Sequence, residues 1–165
     1  MSATLRPIRP ADHPFVLDLN ARNVDLLSPL DDARLTALID WADRADLVLD
    51  DGEPAGFVVM MAPGTTYDSV CYGWWSDRCG DQFYYLDRVV LDDRFRRRGL
   101  GGFVYDEMER AAAPYGRLAL EVNCEPPNEA SLAFHRRRGF VEEAELAVGD
   151  KKVVMMSLKA GGAGR

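Results

Sequence analysis

The stretch Arg96-Arg97-Arg98-Gly99-Leu100-Gly101-Gly102 puts positive charge and glycine at a junction, with a strand-like run from Tyr84 to Leu91 before it and a helix-like run from Leu100 onward. Glycine tolerates positive φ and close backbone approach, and the first N–H groups of a helix have no carbonyl partner. Such a bend favours anions, phosphate in particular. It is not a Walker loop, because no Lys-Ser or Lys-Thr follows the last glycine, and the three-glycine Rossmann spacing is absent. About thirty residues on, Asn128 can cap a helix whose Ser131 and His135 lie four apart on one face, and Gly139-Phe140 closes that segment. Asp87 and Glu121 are carboxylates on strand-like runs, able to take a proton. Cys124 offers a thiol, but no histidine adjoins it, and free cysteines are more often small buried hydrophobes. His13 has no Cys or His partner at ligand spacing, so no metal site is expected.

The elements that must position these groups are legible from periodicity and punctuation. Thr4 to Arg9 alternates as a strand, Pro10-Ala11-Asp12 starts a helix reaching about Asn23, and Ser28-Pro29-Leu30-Asp31 opens a second helix with Leu35, Leu38, Ile39 and Ala42 on one face. Asp46 to Asp50 and Pro54 to Ala62 form a hairpin about Asp51-Gly52, a pair suited to the positive φ angles of a type I′ turn. Pro63 to Gln82 reads as a long irregular connection with Tyr67, Tyr72, Trp74 and Trp75. After the strand to Leu91 and the bend, Leu100, Phe103, Val104, Met108 and Ala111 mark a helix that Pro114 ends. Leu118 to Asn123 is a fifth strand, Asn128 to Arg138 a helix, and Val141 to Val148 and Lys152 to Leu158 are final strands joined at Gly149-Asp150. Residues 1–160 read as one domain with a flexible tail, 161–165, behind it, and the glycine-rich run from Ala160 to Arg165 is expected to fray.

The Arg-x-x-Gly-x-Gly spacing at Arg96, Gly99 and Gly101 resembles the acyl-CoA pyrophosphate loop of the GCN5-related N-acetyltransferases (GNAT) superfamily. The Asn128 to Phe140 segment resembles that superfamily's second cofactor motif, except that the aromatic position, usually tyrosine, holds His135. The resemblance covers Leu86 to Phe140 well and the N-terminal half by element order only. It implies a mixed α/β sheet in the order β-α-α-β-β-β-α-β-α-β-β, with strands four and five splayed to admit the pantetheine arm of acetyl-CoA. Val89 and Leu91 would then offer backbone groups to that arm, Arg96 to Gly102 would hold the diphosphate, and Asn128, Ser131 and His135 would complete the cofactor site.

Acyl transfer from a thioester to an amine needs a neutral nucleophile, a polarised carbonyl and a proton for the departing thiolate. The resemblance places an oxyanion-binding N–H near Val89 and His135 where a tyrosine normally meets the thiolate. An imidazolium could supply that proton; otherwise His135 covers the cofactor or faces solvent. Asp87 and Glu121 flank the splay as candidate bases, direct or through water. Strand alternation puts Asp87 on the side of Val89 and Leu91, opposite Leu86 and Val90, which makes it the better candidate. A salt bridge for Asp87 and a structural hydrogen bond for Glu121 are the alternatives. Asn123 at the mouth of the splay, Asn23 and the neighbouring Asn20 at the end of the first helix, and the walls Trp74 and Trp75 are candidate acceptor contacts; the tryptophans serve equally as core or as apolar surface for a dimer.

Composition sets the outer limits. The chain has 165 residues, 47% hydrophobic and 28% charged, which is globular. Three cysteines without a C-x-x-C pair argue against a disulfide framework and for a reducing, cytoplasmic setting. The N-terminus carries prolines and arginines where a signal peptide needs an apolar run, and the longest apolar stretch, Phe57 to Ala62, is too short to span a bilayer. A net charge of −7 argues against nucleic acid. Even so, seven of the twenty Lys and Arg residues, Arg94, Arg96 to Arg98 and Arg136 to Arg138, sit beside the two motifs as a basic island, unless the last three are only a solvated face. Pro10 to Met60 holds eleven carboxylates against three arginines, a field that would steer a cationic amine. The expectation is an acetyl-CoA-dependent enzyme acting by direct transfer on a small-molecule or peptide primary amine. Another acyl-CoA, a hydroxyl acceptor or a non-catalytic acyl-CoA sensor are the competing readings.

Overall fold

Local rules build the sheet first. The computed structural model describes residues 2–25 and 27–161. Strand β2 (Arg44–Asp50) folds back on β3 (Glu53–Met61) through Asp51 at φ 50° and Gly52 at φ 84°, the left-handed pair that a two-residue hairpin demands. Strand β1 (Ala3–Pro7) pairs antiparallel with β2, and β4 (Tyr84–Leu91) pairs antiparallel with β3. Beyond β4 lie β5 (Arg117–Glu125), β6 (Val141–Val148) and β7 (Lys151–Lys159), giving one seven-stranded sheet in the order β1-β2-β3-β4-β5-β7-β6. Only β4 and β5 run parallel, and they pair solely at Tyr84 with Leu118 and Tyr85 with Ala119. Past Tyr85 the two strands part, so the edges of β4 and β5 that face each other have no strand partner there.

Helices cover both faces of the sheet. On one side α1 (His13–Arg22), α2 (Asp32–Trp41) and α3 (Val70–Cys79) bury Val16, Leu19, Leu35, Leu38 and Trp75 against Phe57, Val59, Tyr85 and Met155. On the other, α4 (Leu100–Ala112) and α5 (Glu129–Arg137) pack Val104, Met108 and Leu132 against Val58, Leu86, Leu120 and Met156.

Three expectations are corrected. The connection from Pro63 to Gln82 is not irregular: it contains α3, whose N-cap Ser69 accepts from the Tyr72 N–H and whose end is marked by Gly80 at φ 62°. The strand alternation through Asp87 fails, because Val59 pairs with Arg88 while its neighbour Met60 pairs with Leu86. Asp87 is the unpaired residue of a β-bulge, and the bulge reverses the faces that follow. Leu86, Val89 and Leu91 therefore share the α4–α5 side, whereas Tyr85 and Val90 belong to the α1–α3 side. Ala160, placed in the frayed tail, is buried and donates its N–H to the Gly116 carbonyl at 3.1 Å; residues 162–165 of that tail lie outside the described residues.

Candidate active site

The parting of β4 and β5 opens a cleft of about 680 Å³ that passes through the plane of the sheet. Leu86, Val89 and Leu91 from β4 line it, as do Leu120 to Asn123 from β5. Tyr105, Asn128, Ser131 and His135 line it on the α4–α5 side, and Asn23, Arg34, Tyr67 and Asp68 on the other.

Outside the α4–α5 end stands the arginine-glycine bend. Gly99 is the N-cap of α4 at φ 74°, no side chain caps the helix, and Arg97 shares the left-handed conformation at φ 62°. The bend thus leaves the first N–H groups of α4 open to an anion. Not all of the basic island serves it. Arg98 is fixed to the buried Asp50 at 2.9 Å and Arg96 to Asp93 at 3.0 Å. Arg136 pairs with Glu142 at 2.7 Å, and Arg138 with Asp106 and Glu109 at 2.7 and 2.8 Å, so these two act as surface ion-pair partners. Arg97 and Arg137 are exposed and unpaired among the described residues.

Asn128 caps α5 by accepting from the Ser131 N–H at 3.2 Å, which sets His135 one turn further along the same face. There His135 is buried, with Nδ1 at 2.7 Å from the Ser131 carbonyl and Nε2 at 2.7 Å from the Tyr105 hydroxyl. A carbonyl only accepts, so Nδ1 carries the proton, and in the neutral ring Nε2 then accepts from Tyr105. Burial pushes the imidazole pKa down, which adds to the case for a neutral ring. The imidazolium expected at this position is replaced by a neutral ring that holds a tyrosine hydroxyl. Tyr105 escaped the sequence reading because it sits on another helix, thirty residues away; its spacing with Leu100, Val104 and Met108 was the available signal.

The carboxylates lie on the opposite side. Asp87 accepts from the Tyr67 hydroxyl on one oxygen and from Arg88 Nε at 2.8 Å on the other. Arg88 is itself buried and continues to Asn20 at 3.1 Å and to Ser28 Oγ at 2.8 Å, tying β4 to the α1–α2 connection. Each oxygen of Asp87 thus has a donor, in the salt bridge that was its alternative. Glu121, half-buried in the cleft wall, takes one hydrogen bond from Tyr85 at 2.7 Å. Burial raises its pKa to about 7, against the opposing effect of the Tyr85 hydrogen bond and with help from the nearby Asp87 charge. The geometry transfers the better claim as base from Asp87 to Glu121. Tyr67, Tyr85 and Arg88 were missed because only the tertiary structure joins them to these carboxylates.

Of the other candidates, Trp74, Trp75 and Cys124 fall outside the cleft. Trp75 is fully buried in the core and Trp74 packs edge-on against it, 4.8 Å between ring centroids, so neither walls an acceptor site; both were displaced by the helix that carries them. Asn123 and Asn23 do line the cleft, the latter donating to the Leu19 carbonyl at 2.9 Å. Cys124 does not, and its thiol pKa is raised by burial, as is that of Cys71 beside Glu121. No His, Cys, Asp and Glu cluster suited to a metal, and no helix long and apolar enough to cross a membrane, occurs among the described residues.

Fold and site together offer an uncapped helix N-terminus and, between two parting strands, a cleft that reaches a carboxylate. The family model for the acetyltransferase (GNAT) family matches residues 13–140, and the chain belongs to that family. It is an acyltransferase with acetyl-CoA as cosubstrate; the open N-terminus of α4 and the unpaired edges of β4 and β5 fit that molecule. Among solved structures, Ard1 from Thermoplasma volcanium is similar at TM-score 0.75 and 19% identity, with 97% of this chain and 99% of that one covered. Aminoglycoside acetyltransferase AAC(6')-Ib, solved with coenzyme A, is similar at TM-score 0.74 and 18% identity, covering 96% and 95%. yncA from Salmonella typhimurium, solved with acetyl-CoA, gives TM-score 0.69 and 14% identity, covering 96% and 94%. No curated protein matches in sequence.

Proposed function

We propose that the chain is a cytoplasmic N-acetyltransferase that moves the acetyl group directly from acetyl-CoA to a primary amine. The observation that carries this reading is the cleft between β4 and β5 that runs from Tyr105 and His135 on the α4–α5 side to Glu121, with the uncapped start of α4 standing outside that end. Bound acetyl-CoA would supply an activated acetyl thioester, its diphosphate at the N–H groups from Gly99 to Gly102 and its arm along Val89 and Leu91. Glu121, with a pKa near neutrality, takes a proton from the amine as it attacks. Asp87 stays locked to Arg88 and Tyr67 and shapes the acceptor wall. A backbone N–H near Val89 stabilises the developing oxyanion. His135 holds the Tyr105 hydroxyl beside Asn128 and Ser131, where that hydroxyl can turn to the departing sulfur. The raised thiol pKa values of Cys71 and Cys124 favour direct transfer over an acyl-cysteine.

The test is to mix the protein with acetyl-CoA and a panel of primary amines and to follow free thiol. Amine-dependent thiol release with a matching acetylated product supports the reading. Coenzyme A uptake without release would instead make the chain an acyl-CoA binder.

A further inference from the structure

The charge carried by the cleft differs from the charge of the sequence around it. None of the eleven carboxylates between Pro10 and Met60 lines the cleft, and the one charged residue contributed by that segment is Arg34. The cleft holds three carboxylates, Asp68, Asp87 and Glu121, and three cations, Arg34, Arg88 and Lys151. Two pairs cancel. Arg34 grips Asp68 through two hydrogen bonds of 2.9 and 2.6 Å, and Arg88 holds Asp87 at 2.8 Å. What remains is one carboxyl, Glu121, on the floor, and one ammonium, Lys151, at the rim. Lys151 gives a single N–H to the Asp25 carbonyl at 2.9 Å and pairs with no carboxylate among the described residues, so two of its donors are left.

Apolar side chains also line this cleft. Val24, after α1, and Val70, opening α3, are 41% and 63% exposed, two of the three large hydrophobics exposed among the described residues, and both line the cleft. Leu27, Pro29 and Val148 continue that lining. A polycation would find a single carboxyl there, an ammonium at the rim and apolar walls. A molecule with one amine, one carboxylate and an apolar side group would match all three features.

Building on the acetyltransferase reading above, we propose that the acceptor is an apolar α-amino acid or similar small amino carboxylate, its amine at Glu121, its carboxylate at Lys151 and its side group against Val24 and Val70. Lys151 is then a specificity-determining residue at the acceptor end. The carboxylates of the acidic N-terminal segment, expected to steer cationic amines, do not themselves line the cleft.

The experiment follows thiol release at saturating acetyl-CoA with leucine and phenylalanine, their carboxamides, spermidine and an aminoglycoside, on the parent and on Lys151→Glu, with coenzyme A uptake measured by calorimetry on both. The expected result is kcat/KM about tenfold higher for the amino acids than for their amides, a preference that Lys151→Glu abolishes while coenzyme A uptake is unchanged. The amide carries the less basic amine, more of it neutral at pH 8, so the comparison is biased against this outcome. Equal or faster transfer to the amides or to spermidine, with coenzyme A still bound, overturns this inference and leaves the acetyltransferase reading standing. Failure to take up coenzyme A overturns that reading, and this inference with it.

Discussion

Glu121→Gln separates a base from a structural carboxyl, because the two roles move activity and stability in opposite directions. Glu121 carries a folded pKa of about 7 against an ordinary 4.5. At ~1.4 kcal/mol for each tenfold in proton activity, ionising it inside the fold costs about 3 kcal/mol. The sign follows from the raised value: the neutral form suits the fold, so the stability it lends is complete below pH 4.5 and is lost as pH rises through about 7. A glutamine never ionises and still accepts from Tyr85. Glu121→Gln should therefore melt above the parent at pH 8, by about 3 kcal/mol at most and several degrees in Tm, and should match it near pH 4.5. Activity should do the reverse. With a pKa near 7, the ionised fraction and hence the parent's kcat/KM rise about tenfold between pH 6 and 8, while the variant falls about 100-fold or more below the parent at pH 8 and less at pH 6. The acceptor's own ionisation appears in both profiles and cancels in their ratio. Thiol-release kinetics and thermal melts across pH 5 to 9 test both halves, and Tyr85→Phe, which removes the bond opposing the shift, should move the break upward. Parallel pH profiles, or a variant that melts below the parent at pH 8, would refute the assignment.

Gly99→Ala places a side chain at φ 74°, which should cost about 1 kcal/mol in stability and weaken coenzyme A uptake in calorimetry, whereas an unchanged Kd would remove the bend from the cofactor site. Arg88→Met strands the buried Asp87 carboxylate and cuts the tie to Asn20 and Ser28; a loss of about 3–5 kcal/mol in denaturant unfolding is expected, and a loss under 1 kcal/mol contradicts the network. Tyr105→Phe leaves His135 Nε2 without its donor, a penalty of about 1–3 kcal/mol, and should lower kcat more than it changes the KM for acetyl-CoA. An unaltered kcat would mean that Tyr105 merely fills space.

Interactions within a few residues were legible from the chain alone. Asp51-Gly52 declared its hairpin, Asn128 its helix, and the arginine-glycine bend the open first turn of α4, because turn geometry, capping and the first turn of a helix depend only on near neighbours. The same order of elements, read with the motifs, carried the family. Helix α3 was missed although its cap Ser69 and its stop Gly80 were both in view, since aromatic residues crowded the segment and resembled a loop wall more than one buried face. What folding alone decided was where chemistry faces. The bulge at Asp87 exists only when β3 is laid beside β4, and that one unpaired residue turned Val89 and Leu91 to the cofactor side, leaving the carboxylate behind on the acceptor side. Burial then did the rest: packing tied Asp87 to Arg88 and Tyr67, left Glu121 in a poorly solvated wall, and favoured a neutral His135 against Tyr105. Solvation and long-range partners set proton affinity, and neither is a property of a residue in sequence.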